Sequence, residues 1–247
     1  MREFCSKKML KKLQILSTFL LIFYLIQSLY AAPLKTLSLD FTREITENGT
    51  KERIEGTLHY DVEKLRVVIH VNKPIKQIMV AKENTLEIYY PDQKQAFRFI
   101  SEGPVPLPLV ETIIQSTQAE YGLTALGYSL NKHDIVDEIL YTYWNPPEKA
   151  KEKLGTVILG IQNERLISAE VKNPKEIIVA RTVYQKHKKI GITYIPMQVT
   201  ASNYGEKSEI IRLEKILFSK PQANSEKPNP ILKFKIPQSV KVQEIKW

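Results

Sequence analysis

Cysteine is almost absent from the sequence. Among 247 residues there is one, Cys5, and it lies in an N-terminal stretch that we expect to be removed. The remaining chain can then form no disulfide and offers no thiol nucleophile. Its stability must therefore come from a hydrophobic core, and about 216 residues are enough to build one domain around such a core.

Glycine and histidine are also scarce, which argues against several kinds of active site. The nine glycines form no phosphate-binding loop, and the four histidines have no metal-ligand spacing. No G-x-S-x-G motif occurs, and no pair of carboxylates stands out by its spacing. We therefore expect no enzyme activity, no catalytic residue, no metal and no cofactor. An enzyme that acts on a lipid remains the minority alternative.

The N-terminus carries a basic head followed by an apolar run. Five lysines and arginines precede ILSTFLLIFYLIQSLYAA, which ends in small residues, as secretory signals do. An uncleaved membrane anchor is the alternative, but Gln27 and Ser28 interrupt the run short of the roughly 18–20 residues that span a bilayer. We predict a secretory signal peptide over residues 1–31 and a single domain over residues 32–247.

The positive charge of the chain raises the question of nucleic acid. The net charge is +9, but without residues 1–31 the balance falls to 31 Lys+Arg against 26 Asp+Glu. The densest basic cluster, QKHKKIG at 185–191, is flanked by Tyr184 and Tyr194. One cluster of this size is typical of a solvated hairpin turn, whereas single-strand binding needs a continuous basic groove with interleaved aromatic residues. We expect no nucleic-acid partner.

Strand patterns fill most of the remaining chain. Leu37, Leu39 and Phe41 alternate with polar residues. The following Asn48-Gly49 pair is a strong hairpin signal, because both residues accept positive φ. A second strand series ends with ILKFKIP at 231–237. The pattern predicts a mainly β fold of about eleven antiparallel strands, too many to lie flat in one sheet.

One hairpin poses a specific question. In NTLEIYYPDQKQAFRF, residues 84–99, the two strands carry bulky apolar groups on both faces. A surface hairpin needs only one apolar face, so something must cover the second. A closed β-sandwich and an open sheet that lines a cavity both satisfy this pattern.

The two strand series are separated by SEGPVPLPLVETIIQSTQAEYG, which has three prolines and then a helical apolar stripe. The stripe consists of Leu109, Val110, Ile113 and Ile114. This short helix would either cap the end of the sheet or form a movable lid over an apolar surface, and the pattern alone favours the cap.

The order of these segments resembles that of the periplasmic outer-membrane lipoprotein carrier family (LolA). A glycine-led strand, a proline-flanked strand, an N-x-L-x-x-Y-Y-P-D-x-x-Q stretch, a proline-led helix at 108–117 and a final Phe-x-x-Pro strand occur over most of residues 36–247. The matching residues are Gly56, Leu58, Tyr60, Pro74, Leu86, Tyr89, Tyr90, Pro91, Gln95, Phe234 and Pro237. One departure is that Val62-Glu63 stands where the family has an Arg-Pro whose arginine helps latch the lid.

The resemblance implies a single curved antiparallel sheet that forms an incomplete β-barrel, with short α-helices as a lid over its concave face. It also implies a soluble periplasmic chaperone that holds the acyl chains of lipoproteins in a hydrophobic cavity and carries them from the inner to the outer membrane. The implied partners are acylated lipoproteins, an inner-membrane lipoprotein-releasing transporter and an outer-membrane acceptor. We expect a monomer.

Two alternatives stay open. The chain could be a half-barrel envelope protein used as a protein-interaction or stress-sensing module, or a carrier of another lipid.

The lipid contacts can be predicted residue by residue. One side of each strand alternation supplies the sheet part, since residues i and i+2 share a face, although a single-residue bulge would reverse any one strand. The predicted sheet contacts are Leu58, Tyr60, Val67, Ile69, Leu86, Ile88, Tyr90, Phe97 and Phe99. The predicted lid contacts are Leu109, Val110, Ile113 and Ile114.

Overall fold

A computed structural model describes residues 34–101, 119–225 and 229–246. The strands in these ranges are β1 (Thr36–Glu47), β2 (Thr50–Asp61), β3 (Arg66–Lys73), β4 (Gln77–Lys82), β5 (Thr85–Tyr90), β6 (Gln95–Ile100), β7 (Ser129–Val136), β8 (Ile139–Asn145), β9 (Val157–Gln162), β10 (Arg165–Lys172), β11 (Ile178–Gln185), β12 (Lys188–Ile190), β13 (Thr193–Ile195), β14 (Gln198–Tyr204), β15 (Ile210–Ala223) and β16 (Val242–Lys246). Short 3₁₀ helices cover Ala119–Gly122, Thr124–Leu126, Glu148–Ala150 and Pro230–Lys233. The predicted signal peptide, 1–31, and the predicted helix, 108–117, lie outside the described residues.

Fourteen of these strands form one curved sheet in the order β16-β6-β5-β4-β3-β2-β1-β15-β14-β11-β10-β9-β8-β7. The two remaining strands, β12 and β13, pair only with each other as a hairpin. The sheet does not close into a barrel, which confirms the prediction of an open, mainly β fold. The predicted count of about eleven strands is too low. In addition, β16 runs parallel to β6, whereas the prediction made every pairing antiparallel.

The strands that the sequence pattern missed have weak alternation. All eight residues of β7 are exposed, so neither of its faces has to be apolar.

The prediction that ILKFKIP, residues 231–237, forms the last strand is wrong. Its first half belongs to the 3₁₀ helix Pro230–Lys233, and Arg66 occupies backbone carbonyls that a ladder would need: its Nε donates to Leu232 O (2.9 Å) and its Nη2 donates to Phe234 O (2.8 Å). The final strand is β16, further along the chain.

The β1–β2 hairpin has the conformation that its sequence predicts. Asn48 and Gly49 both have positive φ, 50° and 78°. Further along β2, Gly56 leaves room for a ring: a Cβ atom there would lie 2.2 Å from His70 O and 3.0 Å from the ring of Phe41. A glycine is needed at position 56 because Phe41, its cross-strand partner, packs over it.

One face of the sheet carries the main core. Residues from strands far apart in the sheet, such as Val67 on β3 and Leu159 on β9, belong to one buried cluster on this face. Strands this distant can share a cluster only if the sheet curves toward it, so this is the concave face. The junction of the two strand series is the β1–β15 pairing, where Phe41 lies opposite Phe218.

The described end of the connection between β6 and β7 is residues 119–128. β6 lies next to one edge of the sheet and β7 forms the other edge. In the described part of this connection, Leu123 belongs to the buried cluster of the concave face, and Tyr121 and Tyr128 pack against it. Residues 119–128 therefore lie on the concave side of the sheet.

Candidate functional site

The cross-strand register places all nine predicted sheet contacts on the concave face. Leu58 pairs with Ile69, and Tyr60 pairs with Val67. Met79 continues the first row from Ile69 to Ile88. Paired residues in an antiparallel ladder point to the same side, and the same rule places Leu86, Tyr90, Phe97 and Phe99 with Ile88. The four predicted lid contacts, Leu109, Val110, Ile113 and Ile114, lie outside the described residues.

The nine residues differ sharply in exposure. Leu58, Tyr60, Val67 and Ile69 are at most 2% exposed and form part of the central core. The other five, on β5 and β6, are half-buried. A ligand can therefore reach the β5–β6 part of the face most directly, and this distinction between core and surface is absent from the alternation pattern.

Elements outside the sheet cover the central part of the face. Ile190 and Ile195, from the β12–β13 hairpin, are 8% and 0% exposed and belong to the same cluster as the sheet core. Leu123 joins that cluster from the connection between β6 and β7. The sequence predicted a lid only from the helix stripe and missed the hairpin, whose two strands have three residues each.

The part of the face that these described elements do not cover forms an apolar surface that we call the open apolar band. It consists of Met79, Leu86, Ile88, Tyr90, Phe97, Phe99 and Ile245. Its rings contact one another: Tyr90 meets Phe97 edge-on with centroids 6.2 Å apart, and the Phe97 and Phe99 centroids are 6.5 Å apart. Ile245, which is 38% exposed and pairs with Phe99, was missed because β16 was not predicted.

The opposite, convex face of the same strands is covered by the chain's own C-terminal segment, residues 229–240. Phe234 stacks on Tyr89 with ring centroids 6.1 Å apart. Val68, Val80 and Ala96 on this face are at most 3% exposed. This answers the question that the hairpin at 84–99 raised: one of its apolar faces is packed against the C-terminal segment, and the other forms the open apolar band.

A cleft of about 640 Å³ lies between the C-terminal segment and the sheet on the convex face. Charged side chains supply much of its wall, including Arg66, Arg98, Lys233 and Lys235. Arg98 is held there by Glu87 and Glu244, each 2.8 Å from a guanidinium nitrogen. The wall of this cleft therefore contains charged groups, whereas the open apolar band contains none.

Two polar features of the concave side lie near the core. Burial, with the nearby charge of Asp61, raises the pKa of Tyr60, which keeps its hydroxyl uncharged at neutral pH. The second is the ion pair of Arg43 with Glu214, where Arg43 Nε donates to Glu214 Oε1 (2.7 Å) and Nη2 donates to Oε2 (2.9 Å). This pair joins β1 to β15 at the junction of the two strand series.

Two further findings concern the described part of the chain only. No group of three or more His, Cys, Asp or Glu side chains there could hold a metal ion. No helix in those ranges is long and apolar enough to cross a membrane.

No protein-family model and no curated protein matches the chain. Solved structures do match its fold. A DUF1329 family protein from Desulfovibrio piger aligns with a TM-score of 0.58 and 12% identity, over 82% of this chain and 91% of that one. A LolA superfamily protein from Nitrosomonas europaea gives a TM-score of 0.54 and 13% identity, over 82% and 92%. An outer-membrane lipoprotein-sorting protein domain from Vibrio parahaemolyticus gives 0.56 and 7%, over 85% and 94%. The resemblance to LolA is thus confirmed for the fold, and identities this low show the fold alone.

Proposed function

We propose that the protein binds acyl chains on its concave face and carries them through water without acting as an enzyme. The observation that carries this proposal is the open apolar band, a row of half-buried aliphatic and aromatic side chains on the face where the sheet curves inward. The finer proposal is a soluble periplasmic chaperone for lipoproteins, exported by residues 1–31. Its partners would be a releasing transporter in the inner membrane and an acceptor in the outer membrane.

The physical case rests on the cost of exposing hydrocarbon to water. Each methylene group that leaves a membrane costs about 0.8 kcal/mol unless another apolar surface accepts it. The open apolar band offers such a surface, and it continues on the same face into a packed core, where Leu58 and Ile69 are almost fully buried. A carrier also needs to shield the chain from water on its other side. The connection between β6 and β7, with the predicted contacts Leu109, Val110, Ile113 and Ile114, would supply that shield.

The test replaces one residue of the band and one matched apolar residue outside it. Ile88→Asp puts a carboxylate where an acyl chain would lie, and burying that charge is unfavourable. We expect binding of a fluorescent monoacylglycerol, a neutral probe, to weaken about tenfold or more. Ile135→Asp is the control, since Ile135 is an isoleucine on another strand, β7, and is 73% exposed, whereas Ile88 is half-buried. Circular dichroism and thermal melting show whether each variant is folded.

Two outcomes would contradict the proposal. One is a wild-type protein, stripped of bound lipid by denaturation and refolding, that does not bind the probe. The other is a folded Ile88→Asp variant that binds it as the wild type does. If Ile88→Asp does not fold, Phe97→Gln makes a neutral polar change on the neighbouring strand and tests the same surface. Mass spectrometry of lipid extracted from the exported protein would then identify the cargo.

A protein-interaction module is the second candidate, and one observation favours it. β7 is an edge strand of the sheet with all eight residues exposed, including Ile135 and Val136. Exposed edge strands can accept a strand from another chain. This candidate predicts that the Ile88→Asp variant keeps its function in cells, whereas proline substitution within β7 abolishes it.

A further inference from the structure

Arg165 differs from every other arginine in the described ranges. Six of the seven donate hydrogen bonds to carboxylates or backbone carbonyls; these six are Arg43, Arg53, Arg66, Arg98, Arg181 and Arg212. Arg165 has no hydrogen-bond or ion-pair partner in the same ranges, and its Nε is buried without one. An Nε–H group that has lost water and gained no acceptor is costly, so its presence calls for an acceptor.

The surroundings of Arg165 contain further positive charge. Its guanidinium carbon lies 4.7 Å from the ring centroid of Tyr194, and Lys189 Nζ lies 5.7 Å from the same centroid. Neither Lys189 nor its neighbours Lys186 and Lys188 form an ion pair with any carboxylate that the structure describes. This is the basic cluster at 185–191 that stands out in the sequence, now with Arg165 added from the start of β10.

The position of His187 supports a positive potential at this place. Its Nε2 lies 2.9 Å from Leu166 O, which fixes the ring beside Arg165. Burial lowers the pKa of His187, and the charge of Arg165 lowers it further, against the opposing effect of the hydrogen bond. Positive charges in this cluster therefore act on each other, and no carboxylate in the described ranges forms an ion pair with them.

The β12–β13 hairpin gives this cluster a defined side. Ile190 and Ile195 on one side of the hairpin pack into the concave core. Lys189 and Tyr194 are a cross-strand pair on the other side, because they occupy the alternate positions of the same ladder. Positively charged groups thus lie on the back of an element that covers the apolar face.

We propose that Arg165, Lys189 and Tyr194 form a binding site for a phosphate-type oxyanion. Arginine offers two nitrogens in a plane that matches two phosphate oxygens, and the ring of Tyr194 holds that plane while Lys189 adds a second charge. The oxyanion could be free phosphate or the headgroup phosphate of a bound lipid. Binding of a lipid headgroup rests on the proposed function, whereas binding of free phosphate does not.

The first experiment uses inorganic phosphate and nuclear magnetic resonance of the arginine Nε–Hε groups. In the wild type, phosphate should shift the Arg165 signal saturably and leave the Arg181 signal in place. Arg165→Gln and Lys189→Gln should each weaken phosphate binding about tenfold, the effect of losing one charged hydrogen-bond partner. Arg181→Gln, which removes an arginine paired with Glu170, is the matched control and should bind phosphate as the wild type does. Arg165→Gln and Lys189→Gln test the same site, so one of them still tests the proposal if the other does not fold.

The second experiment separates the two sources. Vesicles of phosphatidylglycerol in phosphatidylcholine are compared with vesicles of phosphatidylcholine alone in a flotation assay. Preference for the anionic vesicles that Arg165→Gln abolishes would support a headgroup site, and phosphate binding without that preference would support a free-anion site. No saturable phosphate shift and no vesicle preference, or equal values for wild type and Arg165→Gln, would overturn the proposal. Binding of the neutral monoacylglycerol should be unchanged in Arg165→Gln, so failure here is distinguishable from failure of the proposed function.

Discussion

Among single side chains, Arg43 and Glu214 form the most buried ion pair of the sheet. Their side chains are 15% and 10% exposed, and two parallel hydrogen bonds join them across the β1–β15 junction. Arg212 Nη2 approaches Glu214 Oε2 at 3.4 Å and adds a weaker contact. Because both charges have lost most of their water, removing one of them leaves the other without compensation.

We predict that Glu214→Gln destabilises the protein by about 3 kcal/mol, since it leaves Arg43 buried without a countercharge. The matched change is Glu44→Gln, whose partner Arg53 is 59% exposed, and it should cost less than about 1 kcal/mol. Urea unfolding of both variants measures the two values. Equal losses in the two variants would show that burial of the pair has no influence on its contribution to stability.

The C-terminal segment, residues 229–240, is the element whose attachment depends most clearly on a titrating group. Asn229 Oδ1 accepts the N–H of Ile231 (3.1 Å), so its Nδ2 faces His59 and donates to Nδ1 (3.0 Å). Ser38 Oγ also lies 2.8 Å from this Nδ1. The ring can accept from Asn229 only while Nδ1 carries no proton. Burial lowers the pKa of His59, the charge of His70 lowers it further, and Asp40 opposes both.

This arrangement predicts a stability that falls with acidity. The lowered pKa means that the unfolded chain binds a proton more readily than the folded one, so the contribution of His59 is complete above its ordinary pKa of 6.5 and is lost as pH falls through the lower folded value. His59→Gln should therefore lose less stability than the wild type between about pH 7.5 and pH 5. The control is His133→Gln on the exposed β7, which should follow the wild type. The same pH dependence in His59→Gln and wild type would contradict the prediction.

At the level of elements, the sequence predicted a shared apolar face from strand to strand because nothing interrupts the alternation there. The β3–β4, β4–β5 and β5–β6 pairs have no register shift, so the period of two holds from Val67 to Phe99. The sequence pattern did not predict β7 and β16, because neither strand has a buried face that would require alternating apolar residues. It failed for ILKFKIP because a side chain distant in sequence, Arg66, binds carbonyls of that segment.

For the whole molecule, the open sheet follows from the order in which the strands pair, which no local sequence pattern contains. The sequence indicated that both faces of the hairpin at 84–99 are apolar, but two arrangements remained possible. The choice depended on where residues 229–240 pack, and they pack on the convex face. Which part of the concave face stays accessible depends on the β12–β13 hairpin, whose strands are too short to show a pattern.

The central claim is that acyl chains bind to the open apolar band, and photo-cross-linking tests it most directly. A palmitoyl monoacylglycerol with a diazirine in its chain would be bound to the delipidated protein, irradiated and located by tandem mass spectrometry. We predict modification of the concave residues of β5 and β6, namely Leu86, Ile88, Phe97 and Phe99, and none at Tyr89, which faces Phe234 on the other side. Modification confined to the convex cleft around Phe234 and Val240, or none at all, would contradict the claim.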